Sequence, residues 1–307
     1  MKKEMLDLLK KKNKISNKDA DEILELDEEE IIGFLKELGT QEPNLTTLNT
    51  IQKNLDTEYI GKNIYCYDEV KSTNNIAKFL GEAGEDEGTV IVADTQTKAR
   101  GRSGKPWKSP KGGSWLSIVI RPNVPPTHAS LITLATGVAV CKSLRELGVN
   151  AEIKWPNDIL IRGKKVSGVL TEAKVTFNNL DYVIVGIGID TNLNIDDFPE
   201  ELKQGATSLK NEIDREICED KLIAIFLKEF ENIYNLFKEE NYEKILHEWR
   251  ILSKTIGSEV IIKQPLGKTI EGYAVGINKE GSLIIEKGDG SLEKIFAGEL
   301  RHKDGAY

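Results

Sequence analysis

The apolar positions of the first 40 residues recur at the three-to-four-residue spacing of amphipathic helices. The pattern predicts three short helices, of which the second begins at a capping-box-like Ser16-x-x-Asp19 and the third ends at Gly39. Three helices of this length are typical of a helix-turn-helix module. The third helix would enter a DNA groove, but it begins with Asp27-Glu28-Glu29-Glu30, and acidic side chains repel phosphates. We therefore interpret residues 1–60 as a degenerate helix-turn-helix module that packs or dimerises rather than binds DNA.

From about residue 63 the pattern changes to short apolar runs mixed with long amphipathic segments. This mixture is typical of an α/β domain, which we place at residues 61–252. From residue 253, evenly spaced β-prone runs alternate with glycine turns, and they predict a small β-barrel over residues 253–307. The predicted fold class is therefore α/β (α+β), with a central mixed β-sheet packed with helices between two small modules. Strands are predicted at 63–67, 89–93, 115–121, 152–154, 159–161, 166–171, 182–189, 259–263, 272–277, 282–286 and 294–296, and helices at 131–147, 221–237 and 242–251.

Composition narrows the classes of function. The chain has no apolar run near the roughly 18 residues of a membrane span and no apolar signal core at its start, which predicts a cytoplasmic protein without membrane contact. Its net charge of −8 argues against a general nucleic-acid binder. The three cysteines and three histidines are widely scattered, so neither a disulfide framework, a zinc site nor a histidine-activated nucleophile is predicted.

One basic segment stands out in this acidic chain, because no acidic residue occurs between Thr95 and Arg145. Its glycines let the backbone approach a ligand, its arginines offer forked donors to phosphate or carboxylate, and Trp107 offers a face to an aromatic ring. Together these residues favour a nucleotide site, although no Walker motif is present. A solvated surface loop is the alternative. The cations of the segment are Lys98, Arg100, Arg102, Lys105, Lys108 and Lys111.

Three further motifs carry candidate chemistry. The turn Lys154-Trp155-Pro156-Asn157-Asp158 presents a cation, an amide and a carboxylate at a strand end. The segment from Gly163 to Glu172 places two lysines before a strand glycine, and the run from Val185 to Asn192 alternates glycines along a strand. Strand glycines indicate close approach of a ligand or of another backbone. Taken singly, an ordinary turn, surface lysines and a bulged edge strand are equally simple interpretations.

In combination and in this order, the motifs resemble the biotin protein ligase family over about residues 63–301. The matching marks include the basic loop ending in Trp107, the Lys-Trp-Pro-Asn-Asp turn, and a C-terminal Gly298-Glu299-Leu300. The remaining marks are Ser72-Thr73-Asn74, the segment Gly163-Lys164-Lys165-Val166-Ser167-Gly168, and the strand Gly186-Ile187-Gly188-Ile189. The resemblance implies an SH3-like C-terminal barrel.

The resemblance also implies the activity, that of a biotin–[acetyl-CoA-carboxylase] ligase. Such an enzyme uses ATP, biotin and Mg²⁺ to form biotinyl-5′-AMP and passes biotin to a lysine of a biotin carboxyl carrier protein or domain. Homodimers are common in the family. Two other functions stay open: a lipoate-ligase-like acyl transferase and a biotin-responsive transcriptional repressor acting through the N-terminal module.

The resemblance further implies residue roles. Arg102, Lys165 and Asp158 are the expected catalytic residues, with Asp158 organising magnesium or the incoming amine. Cations suit the reaction because it joins two anions, whose repulsion must be screened. Positioning is expected to matter more than covalent catalysis. Biotin is expected to contact Ser72, Thr73, Asn74, Gln96, Arg100, Gly101, Arg102, Lys165, Gly168 and Gly188, and the nucleotide Arg100, Arg102, Lys105, Trp107, Asn157 and Lys165.

The chain departs from the family pattern at two pocket positions and in the N-terminal module. Lys105 stands where many relatives carry arginine, so the bidentate geometry of a guanidinium is lost. Asp190 stands where the family usually has asparagine, which adds a carboxyl near anionic ligands. The segment between Gly39 and Pro43 is too short for the wing of a winged helix, so repressor function is not expected.

Overall fold

A computed structural model describes residues 43–177, 179–198, 200–265 and 267–305. The three helices that we predict over residues 1–40 lie outside the described residues. No helix within the described ranges is long and apolar enough to cross a membrane.

A seven-stranded sheet forms the centre of the molecule, in the order β1-β2-β3-β7-β6-β5-β4. The first two strands pair in parallel and all other neighbours are antiparallel, so the sheet is mixed, as the sequence predicts. The strands are β1 (Ile64–Val70), β2 (Val90–Gln96), β3 (Ser114–Ile120), β4 (Ala151–Lys154), β5 (Asp158–Ile161), β6 (Lys164–Thr176) and β7 (Asn179–Ile189).

Helices cover both faces of this sheet. Alternate residues of a strand point to opposite faces, and in β2 Val90 and Val92 join the larger core, whereas Ile91 and Ala93 join the smaller one. The smaller core lies under α2, and the larger core lies under α3, α6 and α7. The helices are α1 (Leu45–Asn54), α2 (Thr73–Glu82), α3 (Ala129–Glu146), α4 (Glu200–Lys203), α5 (Leu209–Ile213), α6 (Glu219–Lys238) and α7 (Tyr242–Leu252).

The sequence of α6 explains its packing. Glu219 and Asp220 occupy its first turn, where carboxylates interact favourably with the helix dipole. Phe226, Phe230 and Tyr234 recur every four residues, with neighbouring ring centroids 5.8 and 5.7 Å apart, and this stripe is buried.

A second, five-stranded antiparallel sheet follows, in the order β11-β10-β9-β8-β12. Its strands alternate buried and exposed residues, and its buried side belongs to the same core as the large sheet. The fold class predicted from the sequence is thus confirmed, with a C-terminal module built from β strands. They are β8 (Glu259–Lys263), β9 (Thr269–Ile277), β10 (Leu283–Glu286), β11 (Leu292–Ile295) and β12 (Glu299–His302).

Several elements differ from the sequence prediction, among them the short helices α4 and α5, which were not predicted, and β6, which is longer than the predicted 166–171. Helix α2 was not predicted, because it begins with polar residues and its apolar stripe of Ile76, Ala77 and Leu80 is short. Strand β12 was not predicted either, since three of its four residues, Glu299, Arg301 and His302, are polar. The strand predicted at 294–296 occurs as Leu292–Ile295, and Phe296 beyond it is exposed.

The segment before residue 60 packs on the main domain. Ile51 of α1 is buried in the larger core. The Glu231 carboxylate of α6 accepts backbone N–H bonds from Glu58, Tyr59 and Ile60 at 2.7, 2.9 and 2.8 Å. Residues 43–60 therefore pack with the main domain, and the division of the chain at residue 60 stays a prediction.

Candidate active site

A cavity of about 1650 Å³ opens between the large sheet and the C-terminal sheet. Its wall combines the basic loop, the turn at 154–158, strands β6 and β7, the start of α2 and the segment from Gly298 to His302. All fourteen site residues expected from the sequence line this one cavity. The fold thus brings together motifs that lie more than 100 residues apart in the chain.

One end of the cavity is a network of neutral polar groups at the start of α2, which the Glu172 carboxylate borders. The Gln96 amide oxygen accepts hydrogen bonds from the backbone N–H and the hydroxyl of Thr73, at 2.8 and 3.1 Å. The Ser117 hydroxyl lies 2.7 Å from the Thr73 hydroxyl and 2.6 Å from Asn74 Oδ1. The Asn74 amide donates to Glu172 at 2.8 Å. Each side chain therefore has a fixed orientation.

Gly186 makes room for this network. A Cβ at Gly186 would lie 2.1 Å from Asn74 Oδ1, so no larger residue fits without moving the Asn74 amide. The alternating glycines of β7 thus indicate close approach of a side chain, and the alternative of a bulged edge strand is wrong because β7 pairs regularly with both neighbours, β3 and β6, around Gly186.

Three side chains of the basic loop, Arg100, Arg102 and Lys105, fasten it to the rest of the protein. Arg100 contacts Glu172 at 2.9 Å, and Arg102 donates to Asn157 Oδ1 at 2.9 Å and to the Gly298 carbonyl at 3.2 Å. Lys105 contacts Glu299 of β12 at 2.6 Å, where both side chains are largely exposed. The loop therefore bridges the large sheet and the C-terminal module. A solvated surface loop would not make these contacts.

The loop can turn back on itself because two of its residues adopt positive φ. Ser103 has φ 57° and Gly104 has φ 72°, and the Gly101 N–H donates to the Lys105 carbonyl at 2.7 Å. Positive φ is easy for glycine and uncommon for other residues. The short 3-10 turn Arg102–Gly104 thereby aims the Arg102 guanidinium inward.

The other end of the cavity is charged and centred on Asp158. Lys165 Nζ lies 2.5 Å from Asp158 Oδ1, and Lys154 Nζ lies 3.7 Å from Oδ2. Burial acts to raise the Asp158 pKa, but Lys165, Lys154 and Arg102 hold the pKa below its usual value, so the carboxylate is ionised. Burial lowers the pKa of Lys154 to about 8, with Asp158 acting in the opposite direction.

The turn that presents these groups is held from the C-terminal module. The Trp155 backbone N–H donates to the Thr255 hydroxyl at 3.0 Å, and its indole N–H donates to the Gly281 carbonyl at 3.2 Å. The Asn157 amide donates to the Val169 carbonyl at 2.8 Å. This is more than an ordinary surface turn, because Trp155 and Asn157 are buried.

The arrangement does not fit a resident magnesium ion. The Asp158 carboxylate already faces Lys165, Lys154 and Arg102, and three cations would repel a divalent ion at the same oxygens. No group of three or more His, Cys, Asp or Glu side chains suited to a metal occurs within the described ranges. Asp158 therefore does not suit a resident Mg²⁺, and a contact between Asp158 and the Mg²⁺ that accompanies ATP stays a prediction.

Trp107 lies across the strand glycines of the cavity. A Cβ at Gly188 would be 2.7 Å from the Trp107 indole nitrogen, and a Cβ at Gly168 would be 3.2 Å from its ring. Lys165 Nζ stands 4.9 Å from the ring centroid, within range of a cation–π contact. The two glycines therefore form a floor on which the indole rests.

Two contributors had no role in the sequence-based interpretation. Ser117 carries a hydroxyl between the apolar residues Leu116 and Ile118 of β3. A buried hydroxyl needs a hydrogen-bond partner, so a polar contact at this position could have been predicted from the sequence. Glu172 pairs with Asn74, 98 residues earlier in the chain, and with Arg100, 72 residues earlier. No local feature of the sequence indicates these two pairings.

Known proteins are similar to this chain in sequence and in fold. Residues 67–190 match the Biotin/lipoate A/B protein ligase family, and residues 255–302 match the Biotin protein ligase C terminal domain. The bifunctional ligase/repressor BirA of Bacillus subtilis is 36% identical over 262 residues, covering 85% of this chain and 80% of that protein. The biotin–[acetyl-CoA-carboxylase] ligase of Mycobacterium tuberculosis is 32% identical over 238 residues, covering 75% and 85% of the two chains.

A solved structure extends the similarity to three dimensions. The biotin protein ligase of Aquifex aeolicus in complex with biotin and ATP superposes with a TM-score of 0.68 at 31% identity, over 79% of this chain and 100% of that one. The fold, the motif order and these relatives define a protein-modifying ligase. The chain belongs to the biotin protein ligase family.

Proposed function

We propose that this cavity joins biotin to ATP, forming biotinyl-5′-AMP and pyrophosphate, and then transfers the biotinyl group to a lysine of a biotin carboxyl carrier protein or domain. One observation carries the proposal: a neutral hydrogen-bonding end and a cationic end share a single cavity. A ring with polar N–H and C=O groups suits the neutral end, and a carboxylate tail suits the cationic end.

Biotin binds at the neutral end in this proposal. The Thr73 and Asn74 groups supply donors and acceptors for the ureido ring. The buried Ser117 hydroxyl behind them bonds both side chains and fixes them before the ligand arrives. Ser72 and Gln96 flank the same end. The carboxylate tail then points toward the basic loop.

In the first half-reaction, a biotin carboxylate oxygen attacks the α-phosphorus of ATP, the bond to the β-phosphate oxygen breaks, and pyrophosphate leaves. Both reactants are anions, so the barrier falls when cations stabilise the charge that gathers between them. Arg100, Arg102 and Lys165 supply this charge from fixed positions. Mg²⁺ enters as part of the ATP substrate.

In the second half-reaction, the carrier lysine amine attacks the acyl carbon, AMP leaves, and an amide bond forms with loss of one proton. Asp158 is the carboxylate that orients the incoming amine in this proposal, since its charge is maintained by Lys165 and Lys154. The loop fastened by Arg100, Arg102 and Lys105 shields the mixed anhydride from water. We place the protein in the cytoplasm, and a homodimer stays a prediction.

Transfer of labelled biotin to a biotin carboxyl carrier domain tests the proposal. Label is expected on the carrier with ATP present and not without ATP. A parallel reaction with lipoate in place of biotin separates the two acyl groups that the matched family covers. Lipoate-driven pyrophosphate release at the biotin rate would favour the lipoate-ligase-like alternative.

A DNA-binding repressor is the second candidate, because relatives from Bacillus subtilis and Escherichia coli are named bifunctional ligase/repressor. The acidic start of the predicted third helix opposes it. A gel shift with upstream DNA and biotinyl-AMP at modest salt is expected to show no specific complex. A tight, salt-sensitive complex would assign the repressor function to this chain.

A further inference from the structure

Glu172 of β6 lies directly behind the wall of the cavity. Residues two apart in a strand point to the same side, so Glu172 shares the face of Gly168 and Leu170, which line the cavity, although it does not line the cavity itself. Its Oε2 accepts a hydrogen bond from the Asn74 amide of α2 at 2.8 Å, and its Oε1 accepts one from Arg100 of the basic loop at 2.9 Å. One carboxylate therefore joins two cavity residues that come from different elements.

The orientation of the Asn74 amide depends on this carboxylate. An amide fits a site of given shape in two orientations, because its oxygen and nitrogen ends are nearly the same size. The oxygen of Asn74 faces the Ser117 hydroxyl at 2.6 Å, and the nitrogen faces Glu172. A hydroxyl either donates or accepts, so Ser117 suits both ends of the amide, whereas an ionised carboxylate only accepts. Glu172 is therefore the neighbour that decides which end lies where.

This orientation fixes what the Asn74 side chain offers to a ligand. Asn74 is only 6% exposed, and a Cβ at Gly186 would lie 2.1 Å from its oxygen, so the amide plane has little freedom. Among the described residues its amide bonds Ser117 and Glu172, which leaves one N–H and one oxygen lone pair for a ligand. Inversion of the amide would exchange the positions of this donor and this acceptor.

Arg100 of the basic loop holds the carboxylate in its ionised form. Burial acts to raise the pKa of Glu172, but the hydrogen bonds from Asn74 and Arg100 hold the pKa below its usual value. The positive charge of Lys78, one turn after Asn74 in α2, acts in the same direction. The loop cation therefore supports the group that orients the Asn74 amide.

We propose that Glu172 is a positioning residue for biotin: its carboxylate sets the orientation in which the Asn74 amide meets the ureido ring, and Arg100 holds that carboxylate in place. The contact that fastens the basic loop and the contact that orients a ring-binding amide thus share one side chain. Recognition at the neutral end then depends on a residue of the loop that covers the charged end. This inference rests on the proposed binding of biotin at the neutral end.

The test measures the Kd for biotin by calorimetry in the parent, in Glu172→Gln, in Arg100→Ala and in the double variant. Glu172→Gln keeps the length of the side chain but replaces two acceptor oxygens by one acceptor and one NH₂ donor. The introduced oxygen is expected to face Arg100, whose charge makes the stronger bond, so the introduced NH₂ group faces Asn74 and inverts its amide. Binding of biotin then requires the amide to turn back, which breaks one hydrogen bond, and the Kd is expected to rise about fivefold.

Removal of Arg100 is expected to cancel this penalty. In the Arg100→Ala background the introduced amide at position 172 is free to turn its oxygen toward Asn74, which restores the original orientation. Glu172→Gln is then expected to raise the Kd by less than about twofold relative to Arg100→Ala alone, whatever Arg100 itself contributes to binding. A substitution that merely loosened the fold would not be rescued by the loss of a second contact.

Glu82→Gln is the matched control. Glu82 accepts hydrogen bonds from Lys174 and Tyr182 at 2.9 and 2.8 Å, between the same helix and sheet but outside the cavity. Its Kd for biotin is expected to equal that of the parent. An unchanged Kd in Glu172→Gln, or the same rise in both backgrounds, would overturn the proposal. Failure of the parent to bind biotin, with or without ATP, would instead overturn the proposed function.

A measurement without ligand checks the amide orientation separately. The side-chain NH₂ resonances of Asn74, identified by their loss in Asn74→Ala, report in an NMR spectrum whether the nitrogen faces the carboxylate or the Ser117 hydroxyl. Glu172→Gln is expected to shift these resonances, and addition of Arg100→Ala is expected to return them toward the parent positions. Resonances that do not move in Glu172→Gln would overturn the proposal.

Discussion

The two ends of the cavity are organised by different physical means. At the neutral end, Thr73, Asn74 and Ser117 are fixed by short hydrogen bonds among uncharged groups. At the charged end, Lys165 and Asp158 are fixed by opposite charges in a mostly buried setting. Hydrogen bonds of fixed geometry recognise a shape, whereas clustered charges stabilise a change in charge during a reaction.

This difference teaches which kinetic quantity each end should control. A group that binds the substrate and the transition state equally changes KM, and a group whose interaction grows in the transition state changes kcat. We therefore expect damage at the neutral end to be overcome by more biotin. Damage at the charged end should persist at any biotin concentration.

Removal of the central cation should have the largest effect. For Lys165→Ala we expect biotin-dependent pyrophosphate exchange to fall by at least about 10³-fold, because the cation nearest Asp158 is lost from a shielded site. The neighbouring Lys164→Ala, at an exposed side chain outside this cavity, is the control and should exchange at the parent rate. Near-normal exchange by Lys165→Ala would remove Lys165 from the catalytic residues.

Disturbance of the neutral end should come next. For Gly186→Ala we expect the KM for biotin to rise roughly 10–100-fold, because the added Cβ displaces the Asn74 amide. The same change at Gly276, where a Cβ meets nothing within 4 Å, is the matched control. An unchanged KM for biotin in Gly186→Ala would mean that the Asn74 network does not contact biotin.

Arg102 should have a moderate effect on the intermediate. Arg102→Gly removes the contacts to Asn157 and to the Gly298 carbonyl, which fasten the loop over the site. Dissociation of biotinyl-AMP, followed after a single turnover, is expected to accelerate about tenfold. Release at the parent rate would show that this loop does not retain the intermediate.

Lys105 should matter least of the three cations that fasten the loop. Its pair with Glu299 is largely exposed, and exposed ion pairs contribute at most about 1 kcal/mol. We expect Lys105→Ala to change biotinyl-AMP release by no more than about fivefold. A loss as large as that of Arg102→Gly would mean that Lys105 contacts the phosphate directly, despite the absence of an arginine fork.

The sequence predicted the motifs that line the cavity, but not the side-chain contacts between these motifs. The turn at 154–158 and the basic loop were recognisable because their glycine, proline and charged residues are unusual in local sequence. Glu172 was not recognisable as a partner of Asn74, because that pairing depends on how β6 and α2 meet across the sheet. The start of α2 was likewise hidden, since burial of Ile76 and Leu80 against the sheet decides its helical state.

The ionisation of Asp190 is a second property that the local sequence does not predict. Its presence as a carboxyl after the glycine strand was evident in the sequence, but its ionisation depends on burial and on the pairing of Lys165 with Asp158. Neither quantity follows from local sequence, because both arise from strands and a helix that meet only in the folded chain.

Biotin-dependent pyrophosphate exchange at increasing biotin, measured for the parent, Gly186→Ala and Lys165→Ala, tests the division of the cavity most directly. The account predicts that saturating biotin returns Gly186→Ala to near the parent rate and leaves Lys165→Ala at its low rate. Rescue of Lys165→Ala by biotin, or failure to rescue a folded Gly186→Ala, would contradict it.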